Sequence, residues 1–150
     1  MSDQLILDSL RRRMRAMHSL WEQATETMTA EHVNHVAHEG VLPIAFSLFH
    51  FTQIEDGSAS MLGAGPMIWS DEWESRLELS IANHGKEKTV DEMVGQRIGN
   101  YEAYLEYQAA VFAKTENWLA ALDPASLHDV IIARPLPEGI ASTFSARVAG

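Results

Sequence analysis

The chain of 150 residues has no cysteine. That excludes a disulfide-stapled scaffold, a cysteine-ligated zinc finger, an iron–sulfur cluster and a cysteine nucleophile. Any thiol chemistry here needs a thiol carried in by a small molecule. Basic residues are scarce: eleven Lys and Arg face twenty-one Asp and Glu, a formal net charge of −10. Such a surface does not track phosphates, so nucleic acid is not an expected partner. No apolar run reaches the length of a membrane span. The N-terminus carries Asp3 and Asp8, not the basic-then-apolar order of a signal peptide. The expectation is a soluble cytoplasmic protein with no membrane partner.

What is present suffices for one core. Apolar residues make up 46% of the chain and charged residues 21%, a balance typical of a single globular domain. Ile6, Leu10, Met14, Met17, Trp21, Ala24 and Met28 recur at steps of three and four, one apolar face of a helix. Arg11, Arg12, Arg13 and Arg15 lie largely off that stripe and read as a solvated face. Thr29 ends the element and caps a short turn from Ala30. Dense apolar residues after Pro43 predict a mostly buried helix over 44–62, with Pro43 in its first turn. Gly63, Gly65 and Pro66 break it. Residues 67–88 read as a long connection holding a short helix over 73–79, and connections of that length are often functional.

Thr89 and Glu92 form a capping-box pattern. Val94, Ile98, Tyr101, Leu105, Gln108, Phe112, Thr115, Leu119 and Leu122 follow at bundle-seam spacing, predicting one helix of about four heptads that includes Gly95 and Gly99. Gln108 and Thr115 read as hydrogen-bonded core residues. Asp123 and Pro124 end the helix, and residues 130–150 show no helical stripe, so they pair as a hairpin or lie over the bundle. The expected fold is all-α: a four-helix up-down-type bundle with a long crossover, of which three long helices are readable. The expected organisation is a single domain over 1–150, with a core over 3–129 and an irregular tail. Three stripes leave one face to cover, with Trp21, Phe49, Tyr101 and Phe112 expected along it. The tail, a further segment or a second copy fills that face, and a homodimer is the expectation.

Histidine and the carboxylates are the available metal-ligand types. His32, His35 and His38 share a spacing of three, but Gly40 and Pro43 leave little helix to hold them, and they read as solvated loop residues. His50 differs, because it sits mid-helix among Phe46, Leu48, Phe49, Phe51 and Ile54. An imidazole there must give up water and find a partner for each nitrogen. It is expected to be mostly buried and to face the bundle interior, as a core residue or a ligand. Ser47 and Gln53 lie one turn away on about its face, and Glu55 lies off to the side, as a partner behind a ligand or as an interhelical partner. No G-x-S-x-G, phosphate loop or H-E-x-x-H is present, so no catalytic group is assigned.

The turn Met28 to Asn34, the helix entry Glu39 to His50, the Trp-bearing connection Ile68 to Trp73 and the exit Asp123 to Leu127, in this order and spacing, together resemble the DinB-like superfamily. Met28-Thr29-Ala30-Glu31-His32-Val33-Asn34 is similar to the family's Leu-Thr-Pro-Glu-x-Leu-Asn turn after the first helix. Glu39-Gly40-Val41-Leu42-Pro43-Ile44-Ala45-Phe46-Ser47-Leu48-Phe49-His50 resembles its Pro-Gly-x-Asn-Ser-Ile-x-x-Leu-Leu-x-His entry into helix two, and Glu55-Asp56 stands where an acidic pair is usual. Ile68-Trp69 and Asp71-Glu72-Trp73 resemble the connection with its Trp and short helix. Asp123-Pro124-Ala125-Ser126-Leu127 resembles the Leu-Thr-Pro-x-x-Leu exit of helix three.

The resemblance implies a four-helix bundle with a histidine-rich site for a divalent metal, zinc or nickel. It also implies, in several members, transfer of a low-molecular-weight thiol to an electrophilic small molecule. The family's first histidine ligand matches His50. Asn34, Gln53, Glu55 and Trp69 are expected around the pocket. The family's other two histidines lie four apart on the fourth helix. Here no His-x-x-x-His follows Leu136, and the last histidine is His128. The alternative expectation is a noncatalytic helical bundle, a ligand-binding or stress-associated dimer.

Overall fold

The computed structural model describes residues 2–82 and 88–129. The tail over 130–150 and the segment around His84 lie outside the described residues. Every helix but the one after Pro43 starts where a short polar side chain satisfies a free backbone N–H. The Ser2 hydroxyl accepts from Leu5 N and starts α1, Asp3–Glu26. Thr29 caps α2, Ala30–Asn34, with His32 Nδ1 accepting from Thr29 N in return. Pro43 is the cap of α3, Ile44–Met61, and not a first-turn residue as expected. Ser70 caps α4, Asp71–Leu77. Thr89 and Glu92 close their capping box around α5, Val90–Met93. Asn100 caps α6, Tyr101–Ala121, and a 3-10 turn, Pro124–His128, follows.

The helix expected over 89–122 is therefore two helices. The capping box forms, but α5 lasts a single turn. Ile98 leaves helical geometry, buries completely and forms an isolated antiparallel bridge with Leu79. Asn34 holds it there: Asn34 Oδ1 accepts from Ile98 N at 2.9 Å, and Asn34 Nδ2 donates to Ile98 O at 2.8 Å. Gly99 permits the close approach, since a Cβ there would lie 2.7 Å from Glu78 Cβ. Heptad spacing runs through this break because Ile98 is buried in either arrangement. Replacing Asn34 with alanine strands the Ile98 N–H and C=O. The expected loss is about 2 kcal/mol of stability in urea denaturation. An unchanged midpoint would contradict this role.

α6 is the central element and packs against α1, α3 and α4, while α2 rests on α3. Phe49, Tyr104, Tyr107, Val111, Leu77 and Ile98 form the heart of the core. The Tyr104 hydroxyl donates to Leu48 O at 3.1 Å and lies 3.0 Å from Thr52 Oγ1. Burial raises its pKa above the usual tyrosine value. Gln108 Nε2 donates to Thr25 Oγ1 at 3.2 Å, whereas Gln108 Oε1 and Thr115 Oγ1 have no protein partner among the described residues.

The fold is all-α, and among the described residues its three long helices are α1, α3 and α6. None of the described helices is long and apolar enough to cross a membrane. The residues expected along an open face need correction. Phe49, Tyr101 and Phe112 are buried, and Trp21 is half-buried. The large apolar groups that α1 and α3 expose include instead Leu20 at 68%, Phe51 at 57%, Met17 at 48% and Ile54 at 41%. Phe49 is on the stripe that meets α6. Phe51, two residues on, is turned about 200° around the same helix.

Candidate functional site: a buried imidazole and an apolar groove

The long helices meet at His18. Its ring is 1% exposed and stacks on Phe112 of α6, with centroids 3.9 Å apart and planes within 6°. His18 Nδ1 lies 3.0 Å from Glu116 Oε1 on α6. His18 Nε2 lies 3.0 and 3.2 Å from the two carboxylate oxygens of Glu55 on α3. Arg15, one turn back on α1, pairs with Glu116 Oε2. A neutral imidazole carries one N–H and would set its other nitrogen's lone pair against a carboxylate. The imidazolium donates to both. Burial works against the charged ring, but the hydrogen bonds and charges of Glu55 and Glu116 outweigh it and raise the His18 pKa above its ordinary value.

Beside this junction α1 and α3 leave an open groove of about 450 Å³. Met17 and Trp21 line one side, Phe51, Ile54 and Ser58 the other, and Phe112, His18 and Glu55 reach its floor. Trp21 and Phe51 meet edge to face, with centroids 6.0 Å apart.

The site residues expected from sequence have separate surroundings. His50 is half-buried rather than mostly buried. Its ring stacks on Phe46 at 5.3 Å and meets Phe51 edge-on at 5.6 Å. The buried stripe of α3 runs through Leu48, Phe49, Thr52, Gln53 and Asp56, and His50 is on its flank. Gln53 is buried within the stripe, and its Oε1 has no protein partner among the described residues. Asn34 clamps the backbone of Ile98 and does not reach the groove. Trp69 packs its ring on Phe49 at 5.0 Å and Tyr107 at 5.4 Å, and its backbone N–H donates to Asp56 Oδ2 at 2.8 Å. Glu55 alone of these reaches the groove. His32, His35 and His38 are exposed, with His32 engaged in the α2 cap. Among the described residues no three His, Asp or Glu side chains are grouped to hold a metal.

Sequence reasoning does not find Glu116 or the central place of His18, although a signal exists. His18 lies within the apolar stripe of α1, next to Met17, and Glu116 lies within the expected seam of α6, next to Thr115. The pairing itself spans 98 residues in sequence, and no local pattern carries it.

Comparison with protein-family models and with curated proteins gives no match. The likeness to DinB-like proteins rests on the motifs themselves.

Proposed function

We propose that the protein is a DinB-like metal-dependent enzyme that transfers a low-molecular-weight thiol to an electrophilic small molecule in the cytoplasm. The observation that supports it best is the placement of His50. It lies on α3, five residues before Glu55, and flanks the apolar face that α1 and α3 leave uncovered. His50 would supply one donor to zinc or nickel. Among the described residues no group of three His, Asp or Glu side chains completes a donor set around it. A bound divalent metal lowers the pKa of a thiol and stabilises the thiolate. The groove residues Met17, Trp21 and Phe51 would exclude water from the electrophile. The homodimer belongs to the same reading, since Leu5, Ile6 and Leu10 on α1 are exposed and offer a second copy an apolar strip.

The test follows loss of free thiol from a cysteine or glutathione solution with 1-chloro-2,4-dinitrobenzene as electrophile. The expected result is a zinc- or nickel-dependent rate that His50→Ala abolishes. A rate equal to the buffer's, with either metal present, counts against the transferase.

A second reading is a noncatalytic bundle that binds a small molecule. The observation favouring it is that His18, Glu55 and Glu116 are engaged with one another. Binding in the groove without turnover is its signature.

A further inference from the structure

We infer that the groove between α1 and α3 binds an amphipathic organic cation, with Glu55 taking the ammonium group and Met17, Trp21, Phe51, Ile54 and Phe112 enclosing the apolar body. The inference goes beyond the transferase reading and needs neither metal nor thiol.

Two carboxylates, Glu55 and Glu116, flank the His18 ring at the junction. Glu116 has two cationic partners, His18 and the Arg15 guanidinium. Among the described residues Glu55 has only His18, which it shares with Glu116. A carboxylate offers about four lone-pair positions, and a single ring N–H does not fill them. Glu55 lines the groove and its side chain keeps 15% exposure, so its unfilled positions are accessible from there. Ser58, one turn further along α3, adds a hydroxyl acceptor on the same wall. The ring faces of Trp21 and Phe51 favour a cation as well, because their quadrupoles attract positive charge. The formal charge of −10 on the chain biases encounter the same way.

The apolar walls decide the rest of the ligand. A small hydrated cation gains nothing from Met17, Ile54 and Phe112, whereas an alkyl or aryl body does. Arg13 lies five positions before His18 on α1, about 7.5 Å along the axis. The cations that α1 brings to this end are His18, shared between Glu55 and Glu116, and Arg15, paired with Glu116. A carboxylate-bearing ligand would meet Glu55 head-on.

The experiment titrates octylammonium chloride, 1-octanol and sodium octanoate into the full chain and follows tryptophan emission. Trp21→Phe assigns the signal against Trp69, Trp73 and Trp118. The expected order is ammonium tightest, by about tenfold over the alcohol, with octanoate weakest. Glu55→Gln brings the ammonium down to the alcohol's affinity. Met17→Arg, an exposed change on the groove wall, weakens ammonium binding without touching the Glu55–His18 contact, and keeps the test open should Glu55→Gln misfold. Equal affinities for the three, or a preference for octanoate, overturns the inference. So does absence of a Trp21 response at any ligand concentration; light scattering on the same sample then shows whether a second copy covers the groove.

Discussion

Asp56→Ala is expected to lower stability by about 4 kcal/mol. Asp56 is fully buried near the middle of the core. Its Oδ1 accepts from Ile68 N at 3.0 Å and from Lys114 Nζ at 2.6 Å, and its Oδ2 accepts from Trp69 N at 2.8 Å. The Tyr107 hydroxyl lies 3.4 Å from Oδ2, and burial together with this carboxylate raises the tyrosine's pKa. One carboxylate thus ties the loop after α3 to α6. Its removal strands the two backbone N–H groups and leaves the largely buried Lys114 ammonium with neutral acceptors only. Lys114→Met leaves the buried Asp56 carboxylate without a counter-charge and is expected to cost about 3 kcal/mol, moderated by the three donors to Asp56 that remain. Urea denaturation followed by tryptophan fluorescence measures both. A loss below about 1 kcal/mol for Asp56→Ala would show that the loop is held by its aromatic packing.

His18→Leu is expected to cost about 3 kcal/mol near pH 6, and less as the pH rises. The change leaves Glu55 and Glu116 facing each other across an apolar side chain, with Arg15 compensating only Glu116. The pH dependence follows from the raised pKa of His18. The unfolded imidazole titrates near ~6.5. The folded ring holds its proton to higher pH, so between the two values the native state binds more protons than the unfolded one. Stability therefore falls with rising pH. The contribution is fully present below the unfolded value and lost as pH rises through the folded one. Glu55 from α3, Glu116 from α6 and Arg15 from α1 are the charged groups around the ring. Subtracting the pH profile of His18→Leu from that of the unaltered chain isolates the effect from the other histidines. The difference should shrink from pH 6 to pH 9. A flat or growing difference would mean that His18 folds as the neutral ring. Adding Glu55→Gln and Glu116→Gln to His18→Leu should recover most of the loss, since the unpaired charges are then gone.

The helices are legible in the sequence where caps and stripes are local. Thr29, Thr89 and the dense apolar run after Pro43 mark real starts, because a cap acts on N–H groups within three residues of itself. The break at 94–100 is not legible, because it is imposed from outside. Asn34 clamps Ile98 from 64 residues away, and Glu78 crowds Gly99. The burial of Phe49 and Phe112 escapes the sequence for a related reason. Periodicity says that a face is apolar but not which neighbour it meets, and α6 covers the stripe of α3 that holds Phe49. The candidate site divides the same way. His50 stands out by its unusual surroundings in sequence, whereas for Glu55 the sequence leaves open a partner behind a ligand or one on another helix, and the packed structure gives it His18. The His18–Glu55–Glu116 junction joins three helices and exists only in the packed structure.

Metal content of untagged protein, purified with zinc or nickel supplied and then desalted, tests the proposed function most directly. The account predicts a stoichiometric divalent metal that is retained through desalting and lost in His50→Ala, with both proteins equally folded by circular dichroism. Protein that retains no metal, or His50→Ala that retains as much as the unaltered chain, would contradict it.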